Sequence, residues 1–145
     1  MHFWDQHKTI TSYYELLARE VCDTYQLTQM EYDILMFLHS NQQYNTAADI
    51  VKIRKSTKSH VSASLKDLEK KGLVERIQSA DNKKHIEINL LSKAEPIVEA
   101  GLKAQRQFAK NVLSGLSEEE KTVCISVFQK ICNNANEFLK KEKEQ

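Results

Sequence analysis

Apolar residues along the chain fall at helical spacing, then briefly at strand spacing, then at helical spacing again. Ile10, Tyr13, Tyr14, Leu17 and Val21 recur at steps of three and four. They predict a helix over about Asp5 to Asp23, with Phe3 and Trp4 preceding it. A second helix is expected after Leu27. Thr28 is its N-cap, Glu31 completes a capping box, and Met30, Ile34, Phe37 and Leu38 form its inner stripe. A short third helix, capped by Thr46 or Asn45, faces Ala47, Ile50 and Val51 inward. In the fourth, Val61, Leu65 and Leu68 point in. His60, Ser62, Ala63, Lys66 and Lys70 then point out, and Gly72 stops the helix. Ser59 is the expected N-cap, with Ser56 or Thr57 able to begin an earlier turn.

Period-two segments follow at Leu73–Gln78 and His85–Leu90, separated by the polar turn SADNKK. They predict a hairpin with a basic tip. A fifth helix begins near Ser92. Pro96 is late for a first-turn proline, so an irregular start is expected. Ser117 and Glu120 form the capping box of a sixth helix. Its apolar stripe runs through Val123, Cys124, Val127, Phe128, Ile131, Ala135, Phe138 and Leu139. So long a stripe calls for cover, and a partner subunit is the expected cover. The fold class is therefore mostly α with a small β-hairpin wing: a winged helix-turn-helix of six helices.

Net charge is only +1 over 145 residues, which says nothing about partners until the chain is divided. Residues 52–84 carry ten Lys/Arg against four Asp/Glu, a net of +6, and the remainder carries −5. A basic centre between acidic ends suits a protein that meets a polyanion with one face. The apolar fraction of 41% and charged fraction of 28% are ordinary for a globular chain. No apolar run approaches the roughly 20 residues of a membrane span. The opening MHFWDQHKTI has an early acid and no apolar core, unlike a secretory signal. Three cysteines without a CxxC pair suggest reduced thiols in a cytoplasm.

A basic second helix of a helix-turn-helix fits the major groove of double-stranded DNA. Ser59, His60, Ser62, Ala63 and Lys66 are candidates to reach base edges. Arg54, Lys55 and Lys58 are candidates for phosphate, joined by the hydroxyls of Ser56, Thr57 and Ser59. Arg76, Lys83, Lys84 and His85 would act from the hairpin.

The chain resembles the MarR family of bacterial winged-helix regulators. The resemblance rests on LTQMEYDILMFL, on SHVSASLKDLEKKGLVERIQSADNKKHIEINLLSK and on GLSEEE, and covers roughly residues 25–120. It implies a winged-helix DNA-binding region at 27–91, with the fourth helix reading DNA. Dimerisation helices at 1–24 and 92–141 would interlock with those of a second copy. It implies a homodimeric cytoplasmic transcription repressor, a pseudo-palindromic operator and release by a small aromatic or anionic effector. It also implies that Asp81 pairs with Arg76 to brace the wing. The chain departs from the family at the wing tip, where Asp-x-Arg-Arg becomes Asp81-Asn82-Lys83-Lys84. Lysine keeps the charge but loses the planar fork. Leu90-Leu91-Ser92-Lys93-Ala94 also replaces the usual Leu-Thr-x-x-Gly.

An effector changes DNA affinity only by binding two arrangements unequally. The junction of helices one, two and five is the expected place. Tyr13, Tyr32, Met36 and His39 are its candidates, with core packing as the alternative for each and helix capping for His39. No cofactor or metal is expected: the histidines show no HxxxH or HxH spacing. Nor is an enzyme, since no phosphate loop or nucleophile motif occurs. The competing readings are a winged-helix protein-interaction module and a thiol redox switch. Cys22 lies late in the first helix and is expected to be a structural thiol.

Overall fold

The computed structural model describes residues 2–82 and 84–144. It contains α1 (Phe3–Tyr25), α2 (Gln29–Ser40), α3 (Ala47–Arg54) and α4 (Lys58–Lys70). The hairpin of β1 (Val74–Gln78) and β2 (Ile86–Leu90) follows, then α5 (Glu95–Val112) and α6 (Glu118–Glu144). The chain divides into two compact units, Met1–Phe108 and Ala109–Gln145. The winged helix lies wholly in the first.

Helix starts follow local chemistry. The Glu31 amide donates to Thr28 Oγ1 at 3.1 Å, and the Thr28 amide donates to Glu31 Oε1 at 2.9 Å. Thr46 and Asp49 form the same reciprocal box at α3, and Ser117 and Glu120 form it at α6. Each box satisfies two helix N–H groups that have no partner within the helix.

Two boundaries differ from the sequence expectation. α1 takes in Phe3 and Trp4, whose rings meet edge to face at 5.3 Å in its first turn. α4 is capped by Thr57, not Ser59: the His60 amide donates to Thr57 Oγ1 at 3.2 Å. Lys55 takes a left-handed conformation (φ 54°) after α3, and the chain is already extended at Thr57 (ψ 149°). The cap therefore lies two residues before the expected one, and the helix begins at Lys58. The irregular entry to α5 is present as a 3-10 turn over Ser92–Ala94. Pro96 falls in the first turn of α5, where its missing N–H leaves no bond unmade.

One apolar core holds the first unit together. Tyr32, Ile34 and Leu35 of α2, Ile50 of α3, Leu65 and Leu68 of α4 and Ile88 of β2 are almost fully buried within it. Gly72 ends α4 with φ 74°, a conformation in which a Cβ would be strained. The hairpin pairs Val74 with Leu90, Arg76 with Ile88 and Gln78 with Ile86. Ile88 also donates its amide to Asn45 O at 2.7 Å, beside an isolated bridge between Thr46 and Glu87. The segment before α3 thus ties the hairpin to the helix-turn-helix.

Candidate nucleic-acid interface

The rotation of α4 is fixed by what it buries. Val61, Ser64, Leu65 and Leu68 face the core. Ser59, His60, Ser62, Ala63 and Lys66 are all exposed on the opposite side. Lys55, Thr57 and Lys58 are exposed at the turn that leads into the helix, and Ser56 is half-buried. The five candidates for base edges are therefore solvent-facing, as are Lys55 and Lys58 before them.

The wing is shaped by Asn82. Its carbonyl accepts the His85 amide at 3.0 Å, and its side-chain oxygen accepts the Lys84 amide at 3.0 Å. Lys84 and His85 are exposed, and His85 Nε2 lies 3.4 Å from Glu87 Oε1. Lys83, also expected at the wing, lies outside the described residues. α3, α4 and the hairpin enclose a cleft of about 540 Å³, with Val51, Val61 and Ile86 in its wall and Lys58, Arg76 and Lys84 among its cations.

The expected wing brace is corrected by the structure. Arg76 pairs with Glu69 of α4, not with Asp81. Its Nε and Nη2 donate to Glu69 Oε2 and Oε1 at 2.8 and 3.3 Å. The register places Arg76 on β1 next to the last turn of α4, within reach of a carboxylate there. The bonds from Arg76 hold the Glu69 carboxyl below its usual range. Arg54 is likewise engaged, its Nη2 2.9 Å from Asp33 Oδ2. Burial pushes the Asp33 carboxyl up, and Arg54 only partly opposes this.

The four effector candidates do not form one site. Tyr32 and Met36 are in the core, where α5 comes so close at Gly101 that a Cβ there would meet Met36 Sδ at 2.4 Å. The Tyr32 hydroxyl is buried, and burial together with the neighbouring Tyr14 hydroxyl raises it above its usual range. Tyr13 is half-buried, its ring centroid 5.8 Å from that of Phe108. His39 instead lines a separate cleft of about 400 Å³ with Leu91, Glu95 and Val98. Cys22 is buried, and burial raises its thiol to about 11, which suits a structural role. Cys124 and Cys132 are exposed on α6. Among the described residues no group of His, Cys, Asp or Glu is placed to hold a metal ion. No described helix is long and apolar enough to cross a membrane.

The sequence-family model described as MarR family matches residues 25–85, a stretch that includes α2, α3, α4 and β1. This winged-helix segment belongs to the MarR family. A relative from Bacillus subtilis (strain 168), the uncharacterized HTH-type transcriptional regulator YdgJ, is 26% identical over 110 residues. The match spans 76% of this chain and 66% of that protein, just under two-thirds of its length. Among solved structures, S. aureus MepR in its DNA-binding conformation is similar at a TM-score of 0.82 and 24% identity, over 93% of this chain and 99% of that one. The S. aureus MepR–DNA complex matches at 0.78 and 24%, over 92% and 96%. The transcriptional regulator SlyA matches at 0.81 and 19%, over 94% and 96%. These likenesses show a shared fold over more than nine-tenths of this chain.

Sequence reasoning missed a hub that joins the start of α2 to the end of α4 and the entry to α5. Lys71 Nζ donates to the buried Glu31 Oε2 and to Gln26 O, both at 2.9 Å, and Lys93 Nζ donates to Lys71 O at 2.8 Å. Burial alone would push the Glu31 carboxyl up, yet the Thr28 amide and Lys71 outweigh it and hold it below its usual range. The capping motif flags Glu31. Nothing local flags a partner 40 residues away.

Proposed function

We propose that the chain is a DNA-binding transcription regulator, a homodimeric repressor released from a pseudo-palindromic operator by a small aromatic or anionic effector. The observation that carries the reading is the outward face of α4. Ser59, His60, Ser62, Ala63 and Lys66 stand clear of the core, with Lys55 and Lys58 before them and Lys84 on the wing. Short polar side chains on a helix that fits the major groove address base edges, and the flanking cations address phosphate. The MarR-family match and the DNA complex formed by MepR support the same reading.

The dimer is supported by α6, whose Val123, Ile125, Val127, Phe128, Ile131, Phe138 and Leu139 are exposed along the helix. Such a continuous apolar face marks an interaction surface. Residues 27–91 act as the DNA-binding region, and 1–24 and 92–141 as the dimerisation segments. Effector binding near Tyr13 and Tyr32 is supported by the Tyr32 hydroxyl, a donor and acceptor buried beside Tyr14.

Selection of duplexes from a random pool, followed by footprinting, tests the reading. An inverted repeat protected on two successive major-groove faces is the expected product. Recovery of no consensus sequence would favour the interaction-module alternative.

A further inference from the structure

The two arginines of the basic region are both engaged by carboxylates, and most of its lysines are not. Arg54 holds Asp33, which also accepts from Gln29 Nε2 at 3.0 Å and is only 16% exposed. Arg76 holds Glu69 through two N–H groups. Among the described residues, Lys52, Lys55, Lys58, Lys66, Lys70 and Lys84 form no ion pair. The two arginine pairs sit at opposite ends of α4. Arg54 closes α3 just before the left-handed Lys55 and the Thr57 cap, and it ties that turn to α2. Glu69 lies in the last turn of α4, and Arg76 ties that turn to β1.

We propose that Arg54 and Arg76 are positioning residues that clamp the two ends of α4, against α2 and against the wing, while lysines supply the charge that meets DNA. The inference rests on the DNA-binding reading above. The side-chain chemistry agrees with this division. A guanidinium fork gives a directed, paired bond to one carboxylate, whereas an ammonium on a flexible stem meets a phosphate as a point charge.

The salt dependence of binding separates the two roles, because its slope counts neutralised phosphates at about 0.9 each. Binding to a duplex selected from a random pool is measured across a salt series for Arg54→Gln, Arg76→Gln, Asp33→Asn and Glu69→Gln. Each is expected to bind more weakly at a given salt concentration with the native slope retained. Lys55→Ala, in contrast, flattens the slope. The exposed Glu69–Arg76 pair provides a control against misfolding. Glu69→Arg alone is expected to weaken binding although it adds positive charge. Combined with Arg76→Glu, it is expected to bind better than Arg76→Glu alone. The inference is overturned if the arginine variants flatten the slope as Lys55→Ala does while the carboxylate variants do not. It is also overturned if Glu69→Arg alone tightens binding. A native chain that binds no duplex overturns the DNA-binding reading and this inference with it, whereas the slope and Glu69→Arg results bear on the clamps alone.

Discussion

Glu31 shows how a single residue can be half legible. Its place in TQME marks it as the far arm of a capping box, and the structure confirms that arm. Its second role, as the buried partner of Lys71, depends on packing between α2 and the end of α4 and leaves no local trace. The folded carboxyl is depressed, so its stabilisation is present above the unfolded pKa of about 4.3 and is lost as pH falls through the folded value. Glu31→Gln keeps a capping side chain and removes the charge. We expect it to lower stability by about 1–3 kcal/mol near neutral pH, below the full figure for a buried pair because Lys71 is 38% exposed. In denaturant titrations the gap to the native chain should close in acid, and a gap of constant size would refute the assignment. Gly101 is the other informative single position. Its occurrence at helical spacing gives no hint of a close approach, yet a Cβ would lie 2.4 Å from Met36 Sδ and 3.2 Å from Tyr32 Cε2. Overpacking of about 1–3 kcal/mol should exceed the gain of up to about 1 kcal/mol in helix propensity. Gly101→Ala is therefore expected to destabilise, and by less in a Met36→Ala background. Equal losses in both backgrounds would place the clash elsewhere.

At the scale of elements, hydrophobic spacing carried most of the information. The stripe Val61, Leu65, Leu68 fixed which face of α4 is outward, and every residue it assigned to that face is exposed. The capping boxes marked where α2 and α6 begin. What spacing could not give was the start of α4, which depends on the left-handed turn at Lys55, a conformation no glycine announces. Nor could it give the partner of Arg76, which depends on the register of the hairpin against α4. Two predictions belong here. Lys55→Ala should weaken binding to all sequences alike and flatten the salt slope by about 0.9 for each phosphate left unneutralised, hence about twice that in a dimer. Ser62→Ala should change base preference by about 1–3 kcal/mol at one position of each half-site. If both variants shift selected and random duplexes equally, α4 is not the element that reads sequence.

For the molecule as a whole, the sequence made the fold class legible because helix periodicity, a glycine stop and a short hairpin occur in one order. The proposed effector site was less legible. Its four candidates come from the expected helices, but Tyr32 and Met36 lie in the core while His39 lines a different cleft. Helical spacing places a residue on a face and does not say which neighbouring element closes over it. The proposed dimer makes a separate prediction. Ile131→Asp puts a charge into the α6 face and should shift sedimentation toward monomer, with several kcal/mol lost from assembly if the site is desolvated. An unchanged sedimentation profile would remove Ile131 from the interface. The most direct measurement is equilibrium binding of the native chain to a selected duplex and to a random one at increasing salt. Log K is expected to fall linearly and steeply with log salt for both, with the selected duplex bound about a thousandfold more tightly or better. Equal affinity for the two duplexes, or affinity indifferent to salt, would contradict the proposed function.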